Sequence, residues 1–174
     1  MLVLETERLR LRELVPADLD FVATMLAHPE VSHYYARTFD RAASLAWLDR
    51  QIARYEKDGH GLWLVVERAR ETPVGQVGLA MQEVEGEPRA EIGWLLHRPF
   101  WGRGYATEAA LATREAAFDR WGYPEVISLI RPENVPSQRV AGRIGMTAGR
   151  EVAFHGYRHV VWRFERQTNE EGRA

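Results

Sequence analysis

Apolar and charged residues alternate from Leu9 to Val15, with Leu9 and Leu11 on one side, and the pattern predicts a strand with one covered face that Pro16 ends. The period then lengthens. Between Ala17 and Ala27, Leu19, Val22 and Leu26 fall at helical spacing, and His28-Pro29 stops this helix because a residue before proline avoids helical angles. A second helix is predicted from about Arg41 to Lys57, with Leu45, Leu48, Ile52 and Tyr55 on one face and Asp40 placed to cap its first turn. The segment between them, Glu30 to Phe39, carries His33, Tyr34 and Tyr35 and reads as a loop of the kind that lines substrate clefts.

Three apolar runs follow, Leu62 to Val66, Val74 to Met81 with Gly75 and Gly78 inside it, and Glu91 to Leu96. Turn chemistry at Arg70 to Pro73 and a polar link from Glu83 to Pro88 predict that they pair as antiparallel hairpins. After Pro99 the pattern changes. Ala106 to Arg120 reads as a helix whose Ala106, Ala109, Ala110, Thr113 and Ala117 let it lie close on a sheet, with Gly122 as terminator. Val126 to Ile130 is a buried strand, Val135 to Arg143 a short helix closing near Gly145, and strands near Arg150 to Phe154 and His159 to Phe164 finish the chain. The expected class is α/β, with a mixed, mainly antiparallel sheet of about six or seven strands flanked by about four helices. Residues 1–166 form one domain in this reading, 167–174 a flexible C-terminal tail, and His159 to Phe164 an edge strand that would offer a homodimer interface.

Composition narrows the chemistry. The 174 residues suit one domain, and 45% hydrophobic with 28% charged residues is an ordinary globular balance. A net charge of −2 gives no general attraction to phosphate polymers, and no basic stripe is evident, so nucleic acid is not an expected partner. The absence of cysteine removes disulfides, thiolate metal sites and a thiol nucleophile together. The six histidines show no ligand spacing, so no metal is expected. Charges interrupt every apolar stretch near the N-terminus, and nowhere does an apolar run approach a membrane span. No membrane association and a cytoplasmic location are therefore expected.

The segment Glu91-Ile-Gly-Trp-Leu-Leu-His-Arg-Pro-Phe-Trp-Gly-Arg-Gly-Tyr-Ala-Thr-Glu108 joins a strand, a glycine-containing turn and a helix start. The unpaired N–H groups of Arg103, Gly104, Tyr105, Ala106 and Thr107 can converge on one spot, where the positive end of the helix dipole also favours an anion. Glycines at 102 and 104 let the backbone approach a phosphate; the plainer alternative is that they only make a tight turn. No Gly-Lys-Ser/Thr ends this loop, and its glycine spacing does not fit a dinucleotide fingerprint.

Taken together, three segments resemble the GNAT N-acetyltransferase superfamily, and within it the RimJ/RimL-type branch. They are Thr6-Glu-Arg-Leu-Arg-Leu-Arg, Trp101-Gly-Arg-Gly-Tyr-Ala-Thr-Glu-Ala, and Asn134-Val-Pro-Ser-Gln-Arg-Val with Gly145-Met. The similarity runs from Leu4 to about Glu165. It implies a GNAT-like acyl-CoA N-acyltransferase fold with a V-shaped opening between the strand ending at Leu96 and the strand Val126 to Ile130. Acetyl-CoA is the implied cosubstrate, its pantetheine paired with backbone of Trp94, Leu95 and Leu96 and its pyrophosphate held by Arg103 to Thr107. Asn134 and Ser137 match family positions that face the cofactor. The family pattern begins with glutamine or arginine where this chain has Trp101, which affects a side-chain contact and not the backbone cradle.

The implied reaction is direct attack of a primary amine on the thioester, with no covalent enzyme intermediate. A backbone N–H near Leu95 or Leu96 is expected to stabilise the oxyanion. Ser137 is the candidate for protonating the departing sulfur, against a structural role at its helix start. Glu91 is the candidate for taking the amine proton through water, against a solvated strand-end glutamate. Glu108, in a first helical turn, is better explained by the dipole or by packing. His33, Tyr34, Tyr35, His155, Tyr157 and His159 fall where they would shape an acceptor pocket. Arg98 and Arg103 would add charge against phosphates or simply be solvated, and Trp63, Trp94 and Trp162 read as core. The resemblance points to the α-amino group of a protein N-terminus as acceptor. The alternatives are a small-molecule amine, a non-catalytic acyl-CoA-binding module, and a purely structural domain with no CoA affinity.

Overall fold

The structure is a computed structural model that describes residues 1–35 and 39–166; residues 36–38 of the His33-Tyr34-Tyr35 segment and the expected tail, 167–174, lie outside the described residues. In chain order the elements are β1 (Leu2–Glu5), β2 (Leu9–Arg12), α1 (Leu19–Ala27), α2 (Pro29–Ser32), α3 (Arg41–Asp58), β3 (Leu62–Glu67), β4 (Thr72–Val84), β5 (Glu87–Leu96), α4 (Tyr105–Asp119), β6 (Glu125–Ile130), α5 (Val135–Arg143), β7 (Thr147–Phe154) and β8 (Tyr157–Glu165). One sheet takes the order β1-β2-β3-β4-β5-β6-β8-β7, antiparallel throughout except between β5 and β6.

The mixed, mainly antiparallel α/β class is as expected, with eight strands and five α-helices among the described residues rather than the smaller numbers read from the sequence. The additional strand is β1, too short and too exposed to show an alternating pattern. The additional helix is the single turn Pro29–Ser32. Proline occupies its first position, where no N–H is needed, and the His28 ring accepts from Glu30 N–H at 3.3 Å. Asp40 caps α3 as its spacing suggested, accepting from Ala43 N–H at 2.7 Å. The inner face of α3 differs: Leu45 is 43% exposed, and Ser44, Leu48 and Gln51 are buried instead. Polar residues can take those places because each is bonded: Ser44 donates to the Asp40 carbonyl, and the Gln51 amide oxygen accepts from Leu62 N–H. His159 to Phe164 is not an edge. β8 lies between β6 and β7, and the free edge at that end of the sheet is β7, exposed along most of its length.

The core divides by sheet face. Ala109, Ala110 and Ala117 of α4 pack on one face with Leu79, Ile92 and Leu96. On the other, α1 and α3 bring Val22, Leu26 and Leu48 against Leu64 and Val66, with Leu95 at the margin. Side chains alternate along β5, so Ile92, Trp94 and Leu96 belong to the α4 face while Glu91, Gly93 and Leu95 point toward α1 and α3.

Candidate active site

Strands β5 and β6 run side by side and share a single register pair, Glu91 with Ile127. Beyond that point they part. Side chains bridge the fork: Ser128 Oγ donates to the Ile92 carbonyl at 2.8 Å, and Glu91 Oε1 accepts from Leu129 N–H at 3.2 Å. Among the described residues, the β6 side of β5 has no strand partner past the fork. His97 N–H turns toward β4 to meet the Val74 carbonyl at 2.9 Å, so strand alternation aims the N–H groups of Trp94 and Leu96 into the opening. Of the two residues considered for an oxyanion contact, Leu96 is therefore the one whose N–H faces the cleft.

The opening widens into a cleft of about 1070 Å³. One wall is the turn before α4. Gly102 (φ 76°) and Gly104 (φ 79°) both adopt left-handed angles, and Gly104 is the residue from which α4 starts. The first N–H groups of a helix lack intrahelical partners; those of the turn and Tyr105 to Thr107 border this cleft. A second wall is α5. Asn134 caps that helix, its Oδ1 accepting from Ser137 N–H at 3.2 Å, and Ser137 Oγ accepts from the Trp94 indole N–H at 3.2 Å. Trp94 is thus a partly buried cleft residue rather than core, and it fixes the Ser137 hydroxyl opposite the open edge of β5. Trp63 is core as expected, and Trp162 is partly buried against the same cluster.

The motif residues outside the cleft hold it in shape. Glu108 Oε1 accepts from Thr6 Oγ1 at 2.6 Å and from Arg8 N–H at 3.0 Å, while Arg8 Nε donates to Glu108 Oε2 at 2.6 Å and Arg8 Nη1 to the Arg103 carbonyl at 3.0 Å. Burial alone would raise the Glu108 carboxyl, but these donors outweigh it and the net shift is downward. The Thr6-to-Arg12 segment therefore clasps the start of α4, and Glu108 has the packing role read from its position. Trp101 donates from its indole to the Leu96 carbonyl at 2.8 Å, a lock on the turn that the departure at this position had hidden. Arg98 pairs with Glu30, the Arg103 guanidinium lies 5.2 Å from the Phe100 ring centre, and neither lines the cleft. The arginines that do line it on α5 are Arg139 and Arg143, one helical turn apart. Sequence reasoning missed them, although their spacing on the predicted helix was the available signal.

The opposite end of the cleft lies on the α3 side of the sheet. Glu91 sits there, its Oε2 accepting from Gln82 Nε2 at 2.7 Å. Desolvation raises its pKa above the ordinary value of 4.5; the Gln82 and Leu129 hydrogen bonds and the charge of Arg54 oppose the shift without cancelling it. Glu91 is thus not a solvated strand-end carboxylate. All six aromatic and histidine residues proposed from their segments border the cleft: His33, Tyr34 and Tyr35 from one side, His155, Tyr157 and His159 from the β7–β8 hairpin. Trp47, which the sequence did not single out, completes the wall. Its indole donates to Gln76 Oε1 at 2.9 Å, and its ring meets Tyr35 edge-on at 5.6 Å. Among the described residues no group of three potential metal ligands converges, and no helix is long and apolar enough to cross a membrane.

The family model for the acetyltransferase (GNAT) domain matches residues 8–147, the span that contains the fork, the turn and helices α4 and α5. The chain belongs to the GNAT acetyltransferase family. This acetyltransferase is 33% identical to the protein YkkB of Bacillus subtilis (strain 168) over 144 residues, covering 82% of this chain and 84% of the relative. Its structure is similar to the acetyltransferase of Agrobacterium tumefaciens str. C58, with a TM-score of 0.82, 32% identity and 94% of each chain covered. The fold is also that of RimL, a ribosomal L7/L12 alpha-N-protein acetyltransferase solved in complex with coenzyme A. That match has a TM-score of 0.77 at 14% identity and covers 95% of this chain and 98% of the other.

Proposed function

We propose that this acetyltransferase takes its acetyl group from acetyl-CoA and passes it directly to a primary amine. The observation that carries the reading is the combination of an unpaired β5 edge with a left-handed glycine turn at the start of α4, both opening on one cleft. The β5 edge at Trp94 to Leu96 offers backbone groups to the pantetheine amides as an added strand would. The N–H groups of Gly104 to Thr107 offer a pyrophosphate cradle, without Arg103, which stays outside the cleft, and with Arg139 and Arg143 as further positive charge. Leu96 N–H stabilises the oxyanion as the amine nitrogen bonds to the thioester carbon. Glu91, its basicity raised by burial, takes the amine proton through water. Ser137 donates its hydroxyl proton to the sulfur as the C–S bond breaks and regains one from solvent. Asn134 acts through its cap on α5, which places Ser137.

For the acceptor, the RimJ/RimL resemblance supports an α-amino group at a protein N-terminus. A small-molecule amine is the second reading, favoured by the part-buried position of Glu91 in a cleft it shares with Trp47 and Tyr35. Calorimetric titration with acetyl-CoA, repeated on Gly104→Glu, tests the core of the proposal. Binding is expected for the native protein and lost in the variant, because a carboxylate and a strained left-handed backbone are introduced where the pyrophosphate belongs. Equal binding by both proteins would remove the cradle from the reading.

A further inference from the structure

Five arginines and two carboxylates line the cleft, and one of those carboxylates, Glu30, is paired with Arg98 outside it. At the acceptor end Glu91 shares the cleft with Arg131 and Arg54. Arg131 is countered by Glu133 at 3.5 Å, and its guanidinium lies 4.5 Å from the Tyr157 ring centre. Arg54 differs. It is half-buried on α3, its Nη1 donates to Gln51 Oε1 at 3.2 Å, and Gln51 is itself only 2% exposed. Among the described residues no carboxylate lies within ion-pair distance of Arg54, although its charge is felt at both Glu91 and His60. A partly desolvated guanidinium, held in place by a buried amide and lacking a counter-ion, gains most from an anionic ligand that enters the cleft.

We propose that Arg54 is the anion receptor of the acceptor subsite, so that the amine acetylated by this enzyme carries a carboxylate or phosphate group on the same molecule. The inference rests on the acetyl-transfer reading above and names its substrate class. Glu91 and Arg54 form a bipolar pair within one cleft: the carboxylate faces the amine and the guanidinium faces the anion, beside the Trp47 and Tyr35 rings. Polycationic amines meet the opposite of what they need, since their remaining charges would be driven against Arg54 with only Glu91 to receive them.

The test measures thiol release from acetyl-CoA with matched acceptors. Free amino acids are compared with their amides, 2-aminoethyl phosphate with ethanolamine, peptides with aspartate at the second position with lysine counterparts, and spermidine stands for polycations. The expected result is that kcat/KM for anionic members exceeds that of their uncharged partners by about tenfold or more, as for a charge-assisted hydrogen bond. Arg54→Gln is expected to erase the ratio mainly through KM, and Arg54→Lys to keep part of it. Which anionic pair shows the larger ratio separates a small-molecule source of the anion from a peptide one. Preference for amides or spermidine, or an unchanged ratio in Arg54→Gln, overturns the proposal. Titrating the CoA-loaded protein with the same amines gives a readout without turnover: equal affinity for amino acid and amide also overturns it. Acetyl-CoA binding with no anionic preference removes only this inference, whereas failure to bind acetyl-CoA removes the acetyl-transfer reading beneath it.

Discussion

Glu91 shows how position changes the chemistry of a residue of ordinary type. On the sequence it is one glutamate among many; in the fold it stands part-buried where β5 and β6 separate, bonded to Gln82 and to Leu129 N–H. Desolvation raises its pKa, so the carboxylate is a stronger base than a solvated glutamate and protonates at a higher pH than the usual 4.5. The acidic limb of the kcat/KM profile is accordingly expected to fall off above that value. Glu91→Gln should remove the limb and lower the rate by about 10²-fold or more, while Ser137→Ala should lower kcat and leave the limb in place. Profiles of the two variants, measured side by side, check this; a limb that survives in Glu91→Gln assigns the proton to another group. On the sequence Ser137 suits either a helix start or the proposed chemistry. The structure divides the roles, giving the cap to Asn134 and leaving the Ser137 hydroxyl to face Trp94 and the cleft.

At the scale of elements, the start of α4 is held from outside the helix. Thr6 and Arg8, in the turn between β1 and β2, reach about a hundred residues along the chain to Glu108, and Arg8 also fixes the Arg103 carbonyl of the turn. Loss of Glu108 leaves a partly exposed guanidinium and a threonine hydroxyl to water, so Glu108→Ala is expected to cost only about 1–2 kcal/mol, a fall in Tm of roughly 2–8 °C. Its effect on acetyl-CoA affinity should be larger than a surface change of that size suggests, because the turn loses its anchor. Thermal melting and calorimetry on the same variant test the two parts. Unchanged affinity would show that the turn keeps its shape without the clasp.

The whole molecule carries a pH dependence in a residue far from the proposed chemistry. His60 is fully buried, with Nδ1 2.8 Å from the Leu79 carbonyl and Nε2 2.7 Å from the Tyr123 hydroxyl. A carbonyl can only accept, so Nδ1 carries the hydrogen, and the neutral ring accepts from Tyr123 through Nε2. Burial lowers the His60 pKa below 6.5, with the Leu79 carbonyl opposing the shift. Below about pH 6.5 the unfolded chain takes up this proton and the folded one resists it. Stability from His60 is therefore complete above that pH and declines below it, by at most about 1.4 kcal/mol per pH unit. His97 and His159 shift in the same direction and add to the slope. Melting curves between pH 7.5 and 5 should show a steeper decline for the native protein than for His60→Gln; parallel slopes would assign the acid sensitivity elsewhere.

What the sequence determined was local. Apolar runs located β3 to β6, and helical spacing located α3 and the small-residue face of α4, although the buried face of α3 turned out to be Ser44, Leu48 and Gln51. The Gly102-to-Thr107 turn was legible because two glycines one residue apart, directly before a helical pattern, favour left-handed angles at both positions. The tertiary structure decided everything that depends on which elements meet. The fork at Glu91, the direction of Leu96 N–H, the clasp on Glu108, the enclosure of Trp47 and the unpaired charge of Arg54 all arise between segments distant in the chain. So does the placing of β8 inside the sheet, since two consecutive strands read alike whichever of them takes the edge.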